Sequence, residues 1–146
     1  MLTTPHLLVG AAIGSQLHNP MLVAPAAAAS HFVFDRIPHL GGFIEVEDLD
    51  RKDIAFVAGD VILGLVLMFG LTYNRANAEL IWLGAFCSVL PDFHHIFQVV
   101  FGPDKLQRYD NLHKKFHYKK QMSVFAGMAT QIITVLIAIL LILKVI

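Results

Sequence analysis

Eight histidines in a chain of 146 residues mark where chemistry could reside. The densest stretch is His31-Phe-Val-Phe-Asp35-Arg-Ile-Pro38-His39. On a helix, His31 and Asp35 lie a turn apart on one face, so the pair can grip a divalent cation from one rigid element. Pro38 disfavours helical geometry at Ile37 and removes an amide donor, which predicts a helix end there and puts His39 at its mouth. The competing interpretation is a polar helix end that carries two histidines.

The pattern recurs. Asp92 and His95 stand three apart in Leu90-Pro91-Asp92-Phe93-His94-His95, again one face of a turn, although Asp92 also qualifies as a helix cap. His113 and His117 stand four apart in a segment that equally reads as a solvated loop. His6 falls in the first turn of an N-terminal helix, as a ligand or as a polar cap of the bundle. Asp60 is the one charge in a long apolar run and needs either a cation or a hydrogen-bonding neighbour. His6, His31, Asp35, Asp60, Asp92, His95, His113 and His117 are therefore the candidate metal ligands, with His39 and His94 as supporting groups behind them. Imidazoles mixed with carboxylates suit zinc, with manganese or iron as alternatives. The set exceeds four ligands, so one or two ions fit. Two ions about 3.5–4 Å apart activate water and clamp the oxygens of a phosphoester. Arg36, Lys114 and Lys115 are candidates to attract an anionic or phosphate-containing substrate. His18, in His18-Asn19-Pro20, reads as a turn residue.

Composition defines the medium. Hydrophobic residues make up 56% and charged residues 15% of the chain, and its mean hydropathy is +0.64. Soluble domains are about 25% charged, so a polytopic membrane protein with the bilayer as its surroundings is expected. Net charge is zero, which argues against nucleic acid as a partner. The single cysteine, Cys87, lies in an apolar run and reads as a small core residue. Met-Leu-Thr-Thr-Pro at the start lacks a basic region, so no cleavable signal peptide is expected.

The elements that must position these residues form one domain, 1–146. Thr4 as N-cap and Pro5 at the first helical position predict a helix to about Leu17. Its Gly10 and Gly14 let another helix approach closely. A second helix runs from about Met21 to Ile37, with Pro25 and an alanine run. Both are short for a full span and read as a partly buried or re-entrant hairpin. Gly41 to Asp53 is an acidic loop of net charge −3. It lacks the glycine and glutamate positions of a calcium-binding loop. Ile54 to Tyr73 is a transmembrane candidate, followed by a polar turn at Asn74–Asn77. A fourth helix runs from Ala78 to about Leu90, and after Pro91 a short helix ends near Phe101. Gly102 to Lys120 is a polar loop of net charge +4, and Gln121 to Leu143 is the last span.

The expected fold is an all-α, up-and-down membrane bundle of about five helices with its polar site at one end. In that arrangement every candidate ligand falls at one mouth, and His18 alone falls at the far end. The basic loop lies at the mouth as well. By the positive-inside rule the mouth of this multi-pass bundle faces the cytoplasm.

These motifs resemble the YdjM-like family of membrane-bound metal-dependent hydrolases and, more distantly, zinc-dependent phospholipase C. Thr4-Pro5-His6-Leu-Leu-Val-Gly10 is similar to the family's first-helix histidine followed by glycine. Ser30-His31-Phe-Val-Phe-Asp35-Arg-Ile-Pro38-His39 is similar to a His-x-x-x-Asp-x-x-Pro-His element. Leu90-Pro91-Asp92-Phe-His94-His95 is similar to Leu-Pro-Asp-x-Asp-His, with His94 in place of an aspartate. His113-Lys-Lys-Phe-His117 stands where the family has His-Arg-Gly-x-Thr-His, one residue shorter and without the Gly and Thr. The resemblance implies an inner-membrane metal-dependent hydrolase. Against it stand a non-catalytic metal-binding membrane module and a metal carrier. Haem fits less well, because it wants facing histidines without several carboxylates.

Overall fold

Thr3–Gln16 forms α1, the helix around which the rest is packed. The structure, a computed structural model, describes residues 1–39, 50–118 and 123–144. The acidic residues Glu45, Glu47 and Asp48, and the basic Lys119 and Lys120, lie outside the described residues. After α1 come α2 (Pro20–Phe34), α3 (Arg51–Thr72) and α4 (Ala78–Val89). A 3₁₀ turn, Leu90–Asp92, leads into α5 (Phe93–Phe101), followed by α6 (Gln107–His113) and α7 (Val124–Leu143). The described residues contain no strand. Counting α4, its 3₁₀ turn and α5 as one rod, the described residues form the five expected helices, with α6 added.

Among the described residues, three helices are long and apolar enough to cross a membrane: Arg51–Thr72, Ala78–Phe101 and Val124–Leu143. Phe56, Val66 and Phe69 of α3 and Phe125, Ile133 and Leu136 of α7 are exposed, an apolar surface that matches membrane association. α1, at about 21 Å for its length, is too short to span and is enclosed instead. Its Leu7, Leu8, Ala11 and Ala12 pack with Met68 of α3, Ile81 and Ala85 of α4, and Ala138 and Ile142 of α7.

The small residues of α1 find their partner in α4. A Cβ at Gly10 would collide with the Gly84 carbonyl and the Ser88 side chain, and one at Gly14 would collide with the Leu80 carbonyl. Contact at this range is open only to glycine, and it sets the depth at which His6 meets the end of α4. The far end is tied by Gln16 Nε2 to the Leu141 carbonyl at 2.8 Å and by Arg75 Nη1 to the Ile142 carbonyl at 2.7 Å. His18 is exposed at that end.

Helix boundaries differ from expectation at three points. α2 closes at Phe34, with Asp35 as its C-cap, because Arg36 and Ile37 bond three residues back and tighten the last turn ahead of Pro38. α3 starts earlier, because Asp50 and Asp53 form a reciprocal capping box and so belong to the helix start, not to the acidic loop. The basic segment is not all loop. Gln107–His113 is a helix, entered through Leu106 at φ 56°.

Candidate metal centre

Asp35 is the hub. Its Oδ1 lies 3.0 Å from His6 Nε2, and its Oδ2 lies 3.1 Å from His31 Nε2, 3.0 Å from His117 Nε2 and 3.5 Å from His113 Nε2. The amino group of Met1 also lies 2.7 Å from Oδ1. Asp92 approaches from the 3₁₀ turn, with Oδ1 3.4 Å from both His31 Nε2 and His113 Nε2. Asp92 makes no capping hydrogen bond to α5, so its carboxylate faces the imidazoles. The α1–α4 contact brings in His6 and Asp92, the end of α2 brings in His31 and Asp35, and the end of α6 brings in His113.

Backbone carbonyls orient several rings. His31 Nδ1 donates to the Ser88 carbonyl at 2.8 Å, and His39 Nδ1 donates to the Ile37 carbonyl at 2.7 Å. In the neutral ring each Nε2 then carries a lone pair. For His31 that lone pair meets two carboxylates, which is repulsive unless a proton or a cation lies between. Either could sit there. His31 Nε2 and Asp35 Oδ2 are buried and 3.1 Å apart, and among the described residues neither has a hydrogen-bond partner. His113 Nε2 and His117 Nε2 also face each other, at 2.9 Å, where at most one proton can sit.

Three overlapping donor sets result: His6, His31 and Asp92; His31, Asp35 and His113; and Asp35, His39 and His117. Within each set the ligand atoms lie within 4.8 Å of one another. Ligands at about 2.0–2.1 Å from one zinc ion are at most about 4.2 Å apart, so only small closure is needed. His31 and Asp35 each belong to two sets; the two oxygens of Asp35 suit a bridge between ions, whereas His31 has only Nε2 to offer one of them. A fourth set, His94, His95 and Asp110, shares no residue with these.

Electrostatics agree with a cation-binding chamber. Burial raises the Asp35 pKa, but His113, His117, His31 and His6 outweigh it and hold the carboxyl well below the usual range. Burial pushes His6 down to about 4, keeping it neutral. For His31 burial also opposes the charge, yet Asp35 and Asp92 hold it up at about 9, so without an ion a proton fills the gap. Burial pushes His39 down.

Asp60 is not among the converging groups. Its Oδ2 accepts from the Thr3 and Thr4 amides at 2.6 and 3.1 Å, and its carbonyl accepts from Thr4 Oγ1 at 2.7 Å. It caps α1 from a neighbouring helix, so Thr4 is not the N-cap. His95 is set with His94 and Asp110 rather than with Asp92. His39, expected behind the ligands, stands among them, while His94 joins the fourth set. Lys114 Nζ pairs with Asp110 Oδ2 at 2.9 Å, Arg36 stacks its guanidinium 5.0 Å from the Phe116 ring centre, and Lys115 is exposed. Asp110 escaped sequence reasoning, although its three-residue spacing to His113 repeats that of Asp92 and His95.

Fold and site together define a helical, membrane-type protein with a buried imidazole–carboxylate chamber at one end. No family model matches the chain, no curated protein matches it, and no solved structure matches it.

Proposed function

We propose that this chain is a membrane-bound metal-dependent hydrolase of a phosphoester, a class that includes phospholipid headgroups. The observation that carries it is the division of one buried carboxylate between two imidazole sets: Asp35 Oδ1 toward His6, and Oδ2 toward His31, His113 and His117. His6, His31, Asp35, His39, Asp92, His113 and His117 would hold one or two divalent ions, zinc by donor type, with manganese or iron as alternatives. Such ions polarise a phosphoryl oxygen and make a nucleophile of water at neutral pH. Asp92, with about a third of its side chain exposed (32%), and His117, at 15%, form the side on which substrate reaches the chamber. Arg36 and Lys115 at that end would attract the anion, while the Lys114 ammonium is paired with Asp110 Oδ2 at 2.9 Å. By the positive-inside rule the chamber faces the cytoplasm of a bacterial inner membrane.

The burial of His6, His31, Asp35 and His113 favours a second reading, a metal-holding module without turnover. Measuring bound metal and phosphoester hydrolysis in the purified chain, with His31→Ala and Asp35→Ala alongside, separates the two. Hydrolysis lost in both variants supports the enzyme. Bound metal without mutant-sensitive turnover supports the module.

A further inference from the structure

We propose that His94, His95 and Asp110 form a second metal site, separate from the Asp35 chamber, whose ion clamps α6 onto α5. The proposal does not depend on hydrolase activity. The three residues offer two imidazole nitrogens and a carboxylate oxygen, all within 4.8 Å of one another. This donor set suits zinc or a similar borderline divalent cation, with a fourth position left for solvent.

The site has the marks of a built one. His94 is buried, and its Nδ1 donates to the Pro91 carbonyl at 2.8 Å, which turns Nε2 toward Asp110 Oδ1, 3.3 Å away. Asp110 is buried as well. Its other oxygen, Oδ2, takes Lys114 Nζ at 2.9 Å and Gln107 Nε2 at 3.5 Å, leaving Oδ1 for an ion. A carboxylate that ligates through one oxygen and is held through the other is the usual arrangement around metals. The His95 ring lies tilted against that of His94, with ring centres 3.8 Å apart, and completes the set from the same helix.

The clamp has a mechanical purpose. α6 spans only Gln107–His113 and is entered through Leu106 at φ 56°, a left-handed conformation that branched side chains disfavour. A helix this short is marginal without tertiary support. Beyond the His94–Asp110 pair, its polar ties to the α4–α5 rod include Tyr109 Oη on the Pro91 carbonyl at 3.1 Å and the approach of His113 Nε2 to Asp92 Oδ1 at 3.4 Å. Yet α6 delivers His113 to the chamber, three residues beyond Asp110. An ion joining Asp110 to α5 fixes that delivery.

The test uses the full chain in detergent, stripped with chelator and titrated with Co²⁺. Cobalt is followed by its visible absorption and by elemental analysis after desalting. His95→Gln should lose one cobalt equivalent per chain relative to wild type. In a His31→Ala background, which empties the chamber, one equivalent should remain, and adding His95→Gln should remove it. In that background Co²⁺ should also slow amide hydrogen exchange across residues 107–113. Equal cobalt content with and without His95→Gln, in both backgrounds, would overturn the proposal and leave His94, Asp110 and Lys114 as a salt-bridged cluster. Failure of the chamber assignment looks different: wild type and His31→Ala would then bind the same single ion, still sensitive to His95→Gln.

Discussion

Replacing Asp35 by Asn exchanges one oxygen for an NH₂ group and keeps the side-chain volume, so it opens no cavity around a fully buried residue. Among the described residues, it removes the one carboxylate that His6, His31, His113 and His117 all face within 3.5 Å. An amide has a single acceptor oxygen and two donors. It can ligate one ion weakly, cannot bridge two, and points N–H groups at whatever cation remains. Breaking a buried charged pair by removing one partner costs about 3–5 kcal/mol. At 1.4 kcal/mol per tenfold, that is a loss of about two to three and a half orders of magnitude in metal affinity. The assay is competition between the detergent-solubilised protein and a chromophoric chelator, with circular dichroism to verify that helix content is kept. A folded Asp35→Asn chain that binds zinc as tightly as wild type would refute the hub assignment.

Four further outcomes are expected. Asp60→Ala should cost about 0.5–2 kcal/mol through the lost cap on α1, seen as a lower thermal midpoint, with bound-metal stoichiometry unchanged; a drop in stoichiometry would make Asp60 a ligand after all. Gly84→Ala drives a methyl into the Gly10 carbonyl and should destabilise by about 1–3 kcal/mol in the same thermal assay. Gly59→Ala, where a Cβ meets nothing within 4 Å, should be neutral or stabilising by about 0.5–1 kcal/mol. Metal affinity should fall as pH is lowered. Without an ion His31 keeps its proton up to about 9, so an ion must displace that proton at any pH below about 9. Affinity flat between pH 6 and pH 8 (roughly the range where imidazole ligands compete with protons) would speak against imidazole ligation.

Some of this was readable in the chain because the signals are local. The apolar runs over α3 and α7, the break at Pro91, and the one-turn spacing of His31 and Asp35 all depend on near neighbours. The convergence of His6, His31, Asp92 and His113 followed from up-and-down packing alone. What could not be read depends on partners far along the chain. Asp60 is a lone carboxylate in an apolar span, and only the fold reveals that the amides of Thr3 and Thr4, more than fifty residues away, satisfy it. Likewise Gly10 and Gly14 announce a close approach but not its partner; Gly84 and Leu80 supply that. α6 was hidden because Gln107–His113 is short, polar and charged, without the apolar period that marks longer helices. With α6 unread, Asp110 remained one charge among several. Sequence spacing pairs His95 with Asp92, whereas its ring lies 3.8 Å from that of His94, beside Asp110.

The most direct measurement is metal content and metal-edge X-ray absorption on the purified full chain, loaded with zinc and passed over a desalting column. Retained zinc with nitrogen and oxygen ligands and a metal–metal distance of about 3.5–4 Å is the expected result, since the two oxygens of Asp35 are placed to bridge two ions. A chain that keeps its helices and retains no zinc would contradict it.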